Sequence, residues 1–402
     1  MSYFLDLIDL EQTRQDNNVE LIASENFVSD KVLQALGSCL TNKYSEGYPK
    51  ERSTGNCGRY YGGCEWVDKI EEECCNAWRT VFSTNYHVNV QPHSGSQANY
   101  AGYASVAKPG DTILAMDLNN GGHLTHGSSV NFSGKLYNMV FYNTDSEGYI
   151  DYQDLYTKML MFKPKVVVAG ASAYPRAISF KAFREMLERA KEESGDIDWE
   201  PYLMVDMAHI AGLVATGLHE SPFGYADIIT TTTHKTLRGP RGGMIFCRPE
   251  LAKKVDSAVF PGCQGGPLQN VIAAKGVAAE ECLSLEYSQY MRDVVKNCKI
   301  MADWFASHGF DVVTGGTDNH LFLIDLSKTH PHVTGVAVQE ACDEIGITLN
   351  KNCVPNEKRS PRIASGIRIG TAAMTTKGAD ADSFIHWART IANVINTLET
   401  DI

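Results

Sequence analysis

The chain has 402 residues, with 36 Lys and Arg against 48 Asp and Glu and a formal net charge of −12. Hydrophobic residues make up 43% and charged residues 21%, values typical of a globular protein, which exclude a largely disordered chain. The acidic balance argues against a nucleic-acid-binding protein, since such a protein needs a basic surface. Any anion that this chain binds must therefore be held locally, by a helix terminus or a few placed cations.

The eleven cysteines include no CxxC pair, and no His and Cys set at metal-ligand spacing stands beside them. We therefore predict reduced thiols, a cytoplasmic protein and no metal site. The acidic N-terminal stretch has neither the charge nor the apolar run of a targeting segment. No apolar run approaches the about 20 residues of a membrane span, so we expect no membrane association.

The elements in chain order predict three regions. Residues 1–30 predict an N-terminal arm, since short apolar and polar groups alternate there. Strand-like and helix-like segments then alternate, which favours an α/β large domain with a mostly parallel sheet between helices, over 31–275. The predicted strands and helices of this region are, in turn, strands at 86–90, 111–116, 166–169 and 202–205, and helices at 97–107 and 180–193.

The glycine-rich segment 262–267 interrupts this alternation. The chain beyond it predicts a smaller C-terminal α+β domain, over 276–402. Its predicted elements are a long helix, a helix near 335–345 and strands at 321–325, 347–349 and 367–369.

The segment 230–243 carries the strongest chemical signal. A run of threonines leads directly into His234 and Lys235, followed by a loop rich in glycine and arginine. A lysine at such a junction can reach into a cleft, where its neighbours lower the pKa of the amine and allow a Schiff base with a carbonyl. A solvated lysine in a polar turn is the alternative, but the whole constellation favours the Schiff-base lysine.

Asp206 ends the apolar run 202–205. An acid there faces the crevice at the carboxyl ends of parallel strands, where α/β proteins bind ligands. Its carboxylate could pair with a protonated pyridine nitrogen, as an Asp does in pyridoxal phosphate sites, and His209 could bond the phenolic oxygen of that cofactor. The alternative is that Asp206 caps the next helix.

Ser94, Gly95 and Ser96 lie between a predicted strand and a predicted helix. Backbone N–H groups and hydroxyls at a helix start are suited to phosphate, so this turn is a candidate for the local anion site. An ordinary helix cap is the alternative.

Glu46 lies in an aromatic and acidic cluster formed by segments 44–48 and 60–63. It is a candidate general acid or base, and the tyrosines around it are candidates to line a pocket. The alternative is a glycine-rich surface loop with packed tyrosines.

His123 and Arg368 are the remaining candidates. His123, between glycines in 121–127, is suited either to stacking on a flat cofactor or to a place in the core. Arg368 interrupts the apolar run 365–370. Its guanidinium needs a carboxylate, either a structural one or that of an amino-acid substrate, and can bind it with two hydrogen bonds.

Ten motifs together resemble the serine hydroxymethyltransferases, pyridoxal phosphate enzymes of the aspartate-aminotransferase fold (fold type I). The motifs, in chain order, are LIASEN, TNKYSEGYP, RYYGGCE, NVQPHSGSQAN, GGHLTHG, VDMAHIAGL, TTTTHKTLRGPRGG, FPGCQGGPL, TGGTDNHL and SGIRIGT. The resemblance implies a seven-stranded sheet and the cofactor pyridoxal 5′-phosphate. It implies reversible conversion of L-serine and tetrahydrofolate to glycine and 5,10-methylenetetrahydrofolate, a reaction of one-carbon metabolism and amino-acid biosynthesis. It also implies a homodimer or a dimer of dimers with sites at the interface.

The resemblance assigns roles to individual residues of this chain. It implies that the catalytic residues are Lys235, Glu46, His123, Asp206 and His234. It implies that the cofactor is bound by Ser94, Gly95, Ser96, His123, Ser172, Asp206, His209 and Lys235, with Tyr44, Gly265 and Gly266 reaching it across the subunit interface. It implies that the substrate contacts Ser24, Glu46, Arg368 and, across the interface, Tyr61. It implies that folate contacts Leu118, Gly122, Leu124 and Asn352.

The chain departs from the family pattern at residues 50–58, nine residues where the family has a much shorter link. It also ends sooner after Arg368 than many members, and we expect the catalytic core to be unaffected by both departures. Two alternatives remain open: a folate-independent aldolase of the same fold that acts on β-hydroxy amino acids, and a non-catalytic relative that acts as a binding protein. The presence of Lys235, Asp206, Glu46 and Arg368 disfavours the second.

Overall fold

The computed structural model describes residues 2–50 and 58–400. Most of the inserted loop, residues 51–57, therefore lies outside the described residues. On either side of the loop, Gly47 and Arg59 form an antiparallel bridge. The backbone N–H of Tyr60 also donates to the carbonyl of Glu46 at 3.1 Å. The segments on the two sides of the loop are thus paired with each other beside Glu46.

Fourteen α-helices are described within these ranges. They are α1 (Tyr3–Asn17), α2 (Asp30–Leu36), α3 (Glu65–Val81), α4 (Gly95–Val106), α5 (Phe132–Leu136), α6 (Tyr152–Phe162), α7 (Phe180–Ser194), α8 (Ala211–Ala215), α9 (Ala252–Val259), α10 (Gln269–Cys282), α11 (Leu285–Ser307), α12 (Gly335–Glu344), α13 (Ala372–Thr376) and α14 (Ala381–Thr400). Short 3₁₀ turns lie at Cys39–Asn42, Leu118–Asn120, Leu124–His126, Pro249–Leu251 and Val313–Gly315.

The same ranges contain thirteen strands in three sheets. They are β1 (Val19–Glu20), β2 (His87–Asn89), β3 (Thr112–Met116), β4 (Asn138–Tyr142), β5 (Val166–Ala169), β6 (Tyr202–Asp206), β7 (Ile228–Thr232), β8 (Gly243–Cys247), β9 (Asp311–Val312), β10 (Leu321–Asp325), β11 (Ile347–Thr348), β12 (Asn350–Asn352) and β13 (Gly366–Gly370).

The largest sheet has seven strands in the order β2-β8-β7-β6-β5-β3-β4. Strands β3 to β7 are mutually parallel, and only β8 runs antiparallel to its two neighbours. Alternate residues of β5 enter two different hydrophobic cores, Val167 on one face and Val168 on the other. Helices cover both faces, which is why the parallel strands are apolar throughout. The predicted α/β fold with a mostly parallel seven-stranded sheet is confirmed.

The smaller C-terminal unit is an antiparallel sheet in the order β12-β13-β10-β9, covered by helices. Its core joins side chains of α11, α12 and α14 with those of the sheet, so the predicted α+β unit is confirmed. The arm is tied to this unit, since β1 pairs with β11 and Leu21 enters the same core. Helix α10 and the first half of α11 pack on the larger core instead. The boundaries 1–30, 31–275 and 276–402 stay predictions.

The predicted elements agree with the described ones to within a few residues. The sequence predictions left out the strands β4, an edge strand of mixed polarity, and β8, whose start follows a glycine-rich loop that predicts a turn. They also left out several helices, among them α1 within the predicted arm, α3, α6, α9 and α14. The ten cysteines of the described residues form no disulfide bond with one another. Among the described helices, none is both long enough and apolar enough to cross a membrane.

Gly170, directly after β5, is required by the packing beside Asp206. Its backbone φ is +131°, and a Cβ added there would lie 2.1 Å from the carbonyl oxygen of Asp206. We expect Gly170→Ala to lower the free energy of unfolding by more than about 3 kcal/mol, because it combines backbone strain with a backbone clash. Urea unfolding followed by circular dichroism measures the loss.

Gly195 is the matched control for this variant. It ends α7 with φ +60°, and no atom lies within 4 Å of an added Cβ. Gly195→Ala should therefore cost only about 1 kcal/mol. Equal losses in the two variants would contradict the packing argument.

Candidate active site

A cavity of about 620 Å³ lies at the carboxyl ends of the parallel strands. Its volume is in the range of small-molecule sites, and its position is the one expected of an α/β sheet. The predicted residues that line it are Ser24, Ser94, Gly95, Ser96, Leu118, Gly122, His123, Leu124, Ser172, Asp206, His209, His234, Lys235, Asn352 and Arg368. A larger cavity, of about 850 Å³, lies near segments 311–315 and 354–359 and contains none of the predicted residues.

Asp206 is the last residue of β6 and is held by three donors. Its Oδ2 accepts from Nδ2 of Asn99 at 2.8 Å and from Nε2 of His126 at 3.0 Å, and its Oδ1 accepts from the N–H of Ala208 at 3.1 Å. His126 is the donor in its bond, because its Nδ1 accepts the backbone N–H of His123 at 3.2 Å. Burial alone would raise the pKa of Asp206, but the hydrogen bonds from His126 and Asn99 lower it overall. Asp206 is therefore an ionised carboxylate inside the cavity.

Lys235 lies three residues beyond the end of β7 and is 7% exposed. Burial lowers the pKa of its amine to about 8, assisted by the charges of Arg368 and Arg241 and opposed by Asp206. A lysine in this state supplies neutral amine near neutral pH, which a nucleophile requires.

Three neutral imidazoles line the cavity. The Nδ1 of His123 lies 2.7 Å from the Thr125 hydroxyl and accepts the Thr125 N–H, and burial lowers its pKa to about 4. His209 is buried and its ring stacks on His320, with 3.2 Å between Nδ1 and the Nε2 of His320. Burial and the charge of Lys235 hold the pKa of His209 well below its usual value. His234 is also neutral, since burial and Arg241 lower its pKa to about 3.

The turn Ser94–Ser96 begins α4. The Ser94 hydroxyl accepts the N–H of Gln97 at 3.2 Å, so Ser94 does cap the helix. The same N-terminus lines the cavity, where its N–H groups suit an anion. Gly95 is needed for this approach, because a Cβ there would lie 2.5 Å from Cγ2 of Thr232.

Arg368 reaches the cavity from β13 of the smaller unit. It donates from Nη1 to the carbonyl of Ser172 at 2.8 Å and from Nη2 to the Asn350 side chain at 2.9 Å. Its buried Nε has no hydrogen-bond partner within the described ranges. Burial lowers the pKa of Arg368 to about 10, which leaves it charged at neutral pH. A carboxylate ligand would satisfy both the charge and the unused donor.

Five predicted residues do not line the cavity but lie together elsewhere on the chain. We call Tyr44, Glu46, Tyr61, Gly265 and Gly266 the Glu46 cluster. The Tyr61 hydroxyl donates to Oε2 of Glu46 at 3.3 Å, and the rings of Tyr44 and Tyr61 are 5.3 Å apart. A Cβ on Gly265 would lie 2.9 Å from Oε1 of Glu46, and one on Gly266 would lie 3.1 Å from the Tyr44 ring. Both tyrosine rings are exposed, Tyr44 by 58% and Tyr61 by 43%.

Several residues of the site were missed by the sequence predictions: Asn99, Arg241 and Lys351, which line the cavity, and His126, which hydrogen-bonds Asp206. Two of these carried a signal, since Asn99 lies one helical turn beyond Gly95 and His126 one 3₁₀ turn beyond His123. The ligating atoms of His123, His126 and Asp206 lie within 4.8 Å of one another, a spacing that suits a metal ion. The bond between His126 and Asp206 already joins two of them, and the absence of a metal site stays a prediction.

One comparison with known proteins bears on this geometry. The family model described as serine hydroxymethyltransferase matches residues 2–391 of the 402. The match spans the arm, the large sheet with its cavity and most of the smaller unit. This chain therefore belongs to the serine hydroxymethyltransferase family, enzymes that interconvert serine and glycine with folate as the one-carbon carrier.

Proposed function

We propose that the protein uses pyridoxal 5′-phosphate to convert L-serine and tetrahydrofolate reversibly to glycine and 5,10-methylenetetrahydrofolate. One observation carries the proposal. A single cavity joins a buried lysine with a lowered pKa, an ionised Asp206 and a half-buried arginine whose Nε has no hydrogen-bond partner among the described residues. A lysine, an acid and a carboxylate-binding arginine are the groups that pyridoxal chemistry on an amino acid requires.

The residues of the cavity fit the cofactor. Two buried atoms at its wall, Nε of Arg368 and Nδ1 of His234, have no hydrogen-bond partner among the described residues, as expected where a polar ligand completes a site. The turn Ser94–Ser96 offers N–H groups and hydroxyls for the phosphate. Ser172, which also lines the cavity, is a further proposed contact. When bound, pyridoxal phosphate supplies the electron sink for the bond that breaks at Cα of serine.

The chain's own groups would hold the cofactor ring in three ways. Lys235 would bond the aldehyde carbon after losing its proton, Asp206 would keep a proton on the ring nitrogen, and the His123 ring would lie on the ring face. The hydrogen bonds from Asn99 and His126 keep Asp206 ionised, which is the state that this pairing needs. His209, as a neutral ring at the cavity wall, is the proposed partner of the phenolic oxygen.

The substrates would occupy the remaining surface of the cavity. Arg368 would bind the serine carboxylate, with Ser24 and His234 beside it. Leu118 and Leu124 present exposed apolar side chains at the cavity and Asn352 a polar one, a combination that suits the flat, polar-edged ring of folate. Gly122 lies between the two leucines, where a Cβ would meet the Met116 carbonyl oxygen at 2.2 Å.

The Glu46 cluster supports a homodimer. Glu46, proposed to move the proton at the serine hydroxymethyl oxygen, does not line the cavity of its own chain. A second copy would bring it to the neighbouring cavity, together with Tyr44, Tyr61 and the glycines. The exposed apolar surface agrees with this, since Trp66 is 69% exposed and Phe4 on α1 is 75% exposed. Two copies could form a closed dimer with two equivalent sites, or a dimer of such dimers, in the cytoplasm.

Lys235→Ala should remove turnover. The variant lacks the amine, so serine–glycine exchange should fall to below about a thousandth of the wild-type rate. The assay follows labelled glycine formed from labelled serine at saturating tetrahydrofolate. Lys181→Ala, at an exposed position on α7, is the control and should keep the wild-type rate. Normal turnover by Lys235→Ala would end the assignment.

The dependence on folate separates the proposal from a folate-independent aldolase. We expect the wild-type exchange of serine to require tetrahydrofolate, because Leu118, Leu124 and Asn352 form a surface for it at the cavity. The same assay without tetrahydrofolate, and with threonine as substrate, makes the comparison. Equal rates with and without tetrahydrofolate would favour the aldolase.

Covalent attachment of pyridoxal phosphate to the cofactor-free protein should depend on the titration of Lys235. The neutral amine reacts, so the attachment rate should rise with pH and level off above a midpoint of about 8, well below the ordinary lysine value of 10.5. Arg368→Gln removes a positive charge and should raise this midpoint, whereas Asp206→Asn removes a negative charge and should lower it. Borohydride trapping with mass spectrometry measures the rate. A common midpoint in all three proteins would contradict the electrostatic argument.

Two inactive variants should complement each other if the site is shared. Co-expressed Lys235→Ala and Glu46→Gln chains, carrying different tags, form mixed dimers in which one of the two sites is intact. The unsorted mixture should then regain about a quarter of wild-type turnover, because about half of the dimers are mixed. Lys235→Ala with Asp206→Asn is the control, since both residues line one cavity of one chain and no site is intact. Equal activity of the two mixtures would place Glu46 in its own chain's site.

A further inference from the structure

Lys275 is a buried lysine that the proposed chemistry does not use. It lies on α10, is 1% exposed and does not line the cavity. Its ammonium donates to three backbone carbonyls, those of Val90 at 2.7 Å, Gly243 at 2.8 Å and Pro92 at 3.1 Å. These bonds use all three N–H donors of the group. Among the described residues the partners of this buried ammonium are all main-chain oxygens, and it fixes the position of those oxygens.

The three carbonyls belong to two segments that border the cavity. Val90 and Pro92 lead into the turn Ser94–Ser96, whereas Gly243 begins β8, where the chain returns from the loop that follows Lys235. The N–H of Gly243 also donates to the Pro92 carbonyl at 3.1 Å. The hydrogen bonds of Lys275 and the bond between Gly243 and Pro92 therefore hold the segment before the turn and the start of β8 together.

The junction leaves little room for movement. A Cβ on Gly243 would lie 2.2 Å from the carbonyl oxygen of Ser94, and one on Gly242 would lie 2.5 Å from Cε of Lys275. A shift of the ammonium would therefore displace the backbone at the first residue of the turn. Lys275, which lies on the side of the turn away from the cavity, therefore fixes the position of the turn.

The charge of Lys275 acts on the same region. Burial lowers its pKa to about 8, so the group is mostly charged at neutral pH. Burial and then this charge lower the pKa of His93, which adjoins the turn, and the charge also contributes at His234. A cation behind the turn favours an anion in front of it.

We propose that Lys275 is the positioning residue of the phosphate-binding turn, holding Ser94–Ser96 in the geometry that binds the cofactor's phosphate from a place outside the cavity. The inference rests on the proposed function, because it takes Ser94–Ser96 as the phosphate site. In this proposal Lys275 acts at the phosphate end of the cofactor, whereas Lys235 bonds its aldehyde end.

The test compares pyridoxal 5′-phosphate with pyridoxal, which lacks the phosphate. Each ligand is titrated into the cofactor-free full-length protein, and the ratio of the two Kd values is determined for wild type, Lys275→Met and Ile272→Ala. Met has about the length of Lys but neither charge nor donors. Ile272 is equally buried on the same helix but faces the larger core, so its variant controls for loss of packing.

Lys275→Met should weaken pyridoxal phosphate binding by at least about tenfold and pyridoxal binding by less than about threefold. Ile272→Ala should lower Tm and keep the wild-type ratio. If Lys275→Met does not fold, Gly242→Ala, which presses on Cε of Lys275, carries the test and should lower the preference for the phosphorylated ligand. An unchanged ratio in a folded variant overturns the inference. Failure of the proposed function would look different, since wild type itself would bind neither ligand.

Discussion

An ionised carboxylate inside a buried cavity is the constraint on which the site depends. Asp206 stays charged only because Asn99, His126 and the Ala208 N–H donate to it, and His126 can donate only because the backbone fixes its tautomer. The same charge opposes the effect of burial on Lys235 and so sets how readily that amine loses its proton. Gly170 belongs to this arrangement, since any side chain there would collide with the Asp206 carbonyl. The end of β6, the first part of α4 and the 3₁₀ turn Leu124–His126 thus all meet at Asp206.

The local electrostatics of the cavity are opposite to those of the whole chain. The protein carries −12, yet Lys235, Arg241 and Arg368 gather at one cavity, with Lys275 behind the turn at Ser94. Cations placed this way bind small anions without making the surface basic. The cost of burying them is visible in the lowered pKa values of Lys235, Lys275 and Arg368. Hydrogen bonds to carbonyl groups offset that cost in the protein without ligands. In the proposed complex a phosphate and a carboxylate would offset it as well.

In a single chain, the residues proposed for binding and catalysis lie in two separate places. Most of the proposed cofactor and substrate residues line the cavity, whereas the Glu46 cluster lies on an exposed surface near the described ends of the insertion. The buried ion pair of Arg59 with Glu71 holds the backbone on both sides of Glu46, through the carbonyls of Ser45 and Gly47. The ends of the insertion are therefore anchored near Glu46, and the expectation that the longer loop leaves the catalytic core unaffected stays a prediction.

The sequence by itself determined the fold class, the positions of the elements that it named and the family, because apolar runs and motif blocks are local properties of the chain. It also identified many of the residues that line the cavity, since the motifs that contain them are local blocks of the sequence. Only the tertiary structure decided that Asn99 and His126 both serve Asp206, that β8 runs against its neighbours, and that Lys275 reaches from α10 to the turn at Ser94. Likewise, only the tertiary structure showed that Glu46 does not line the cavity of its own chain. These relations join residues far apart in the chain, and no local pattern encodes which distant carbonyl or carboxylate a side chain will meet.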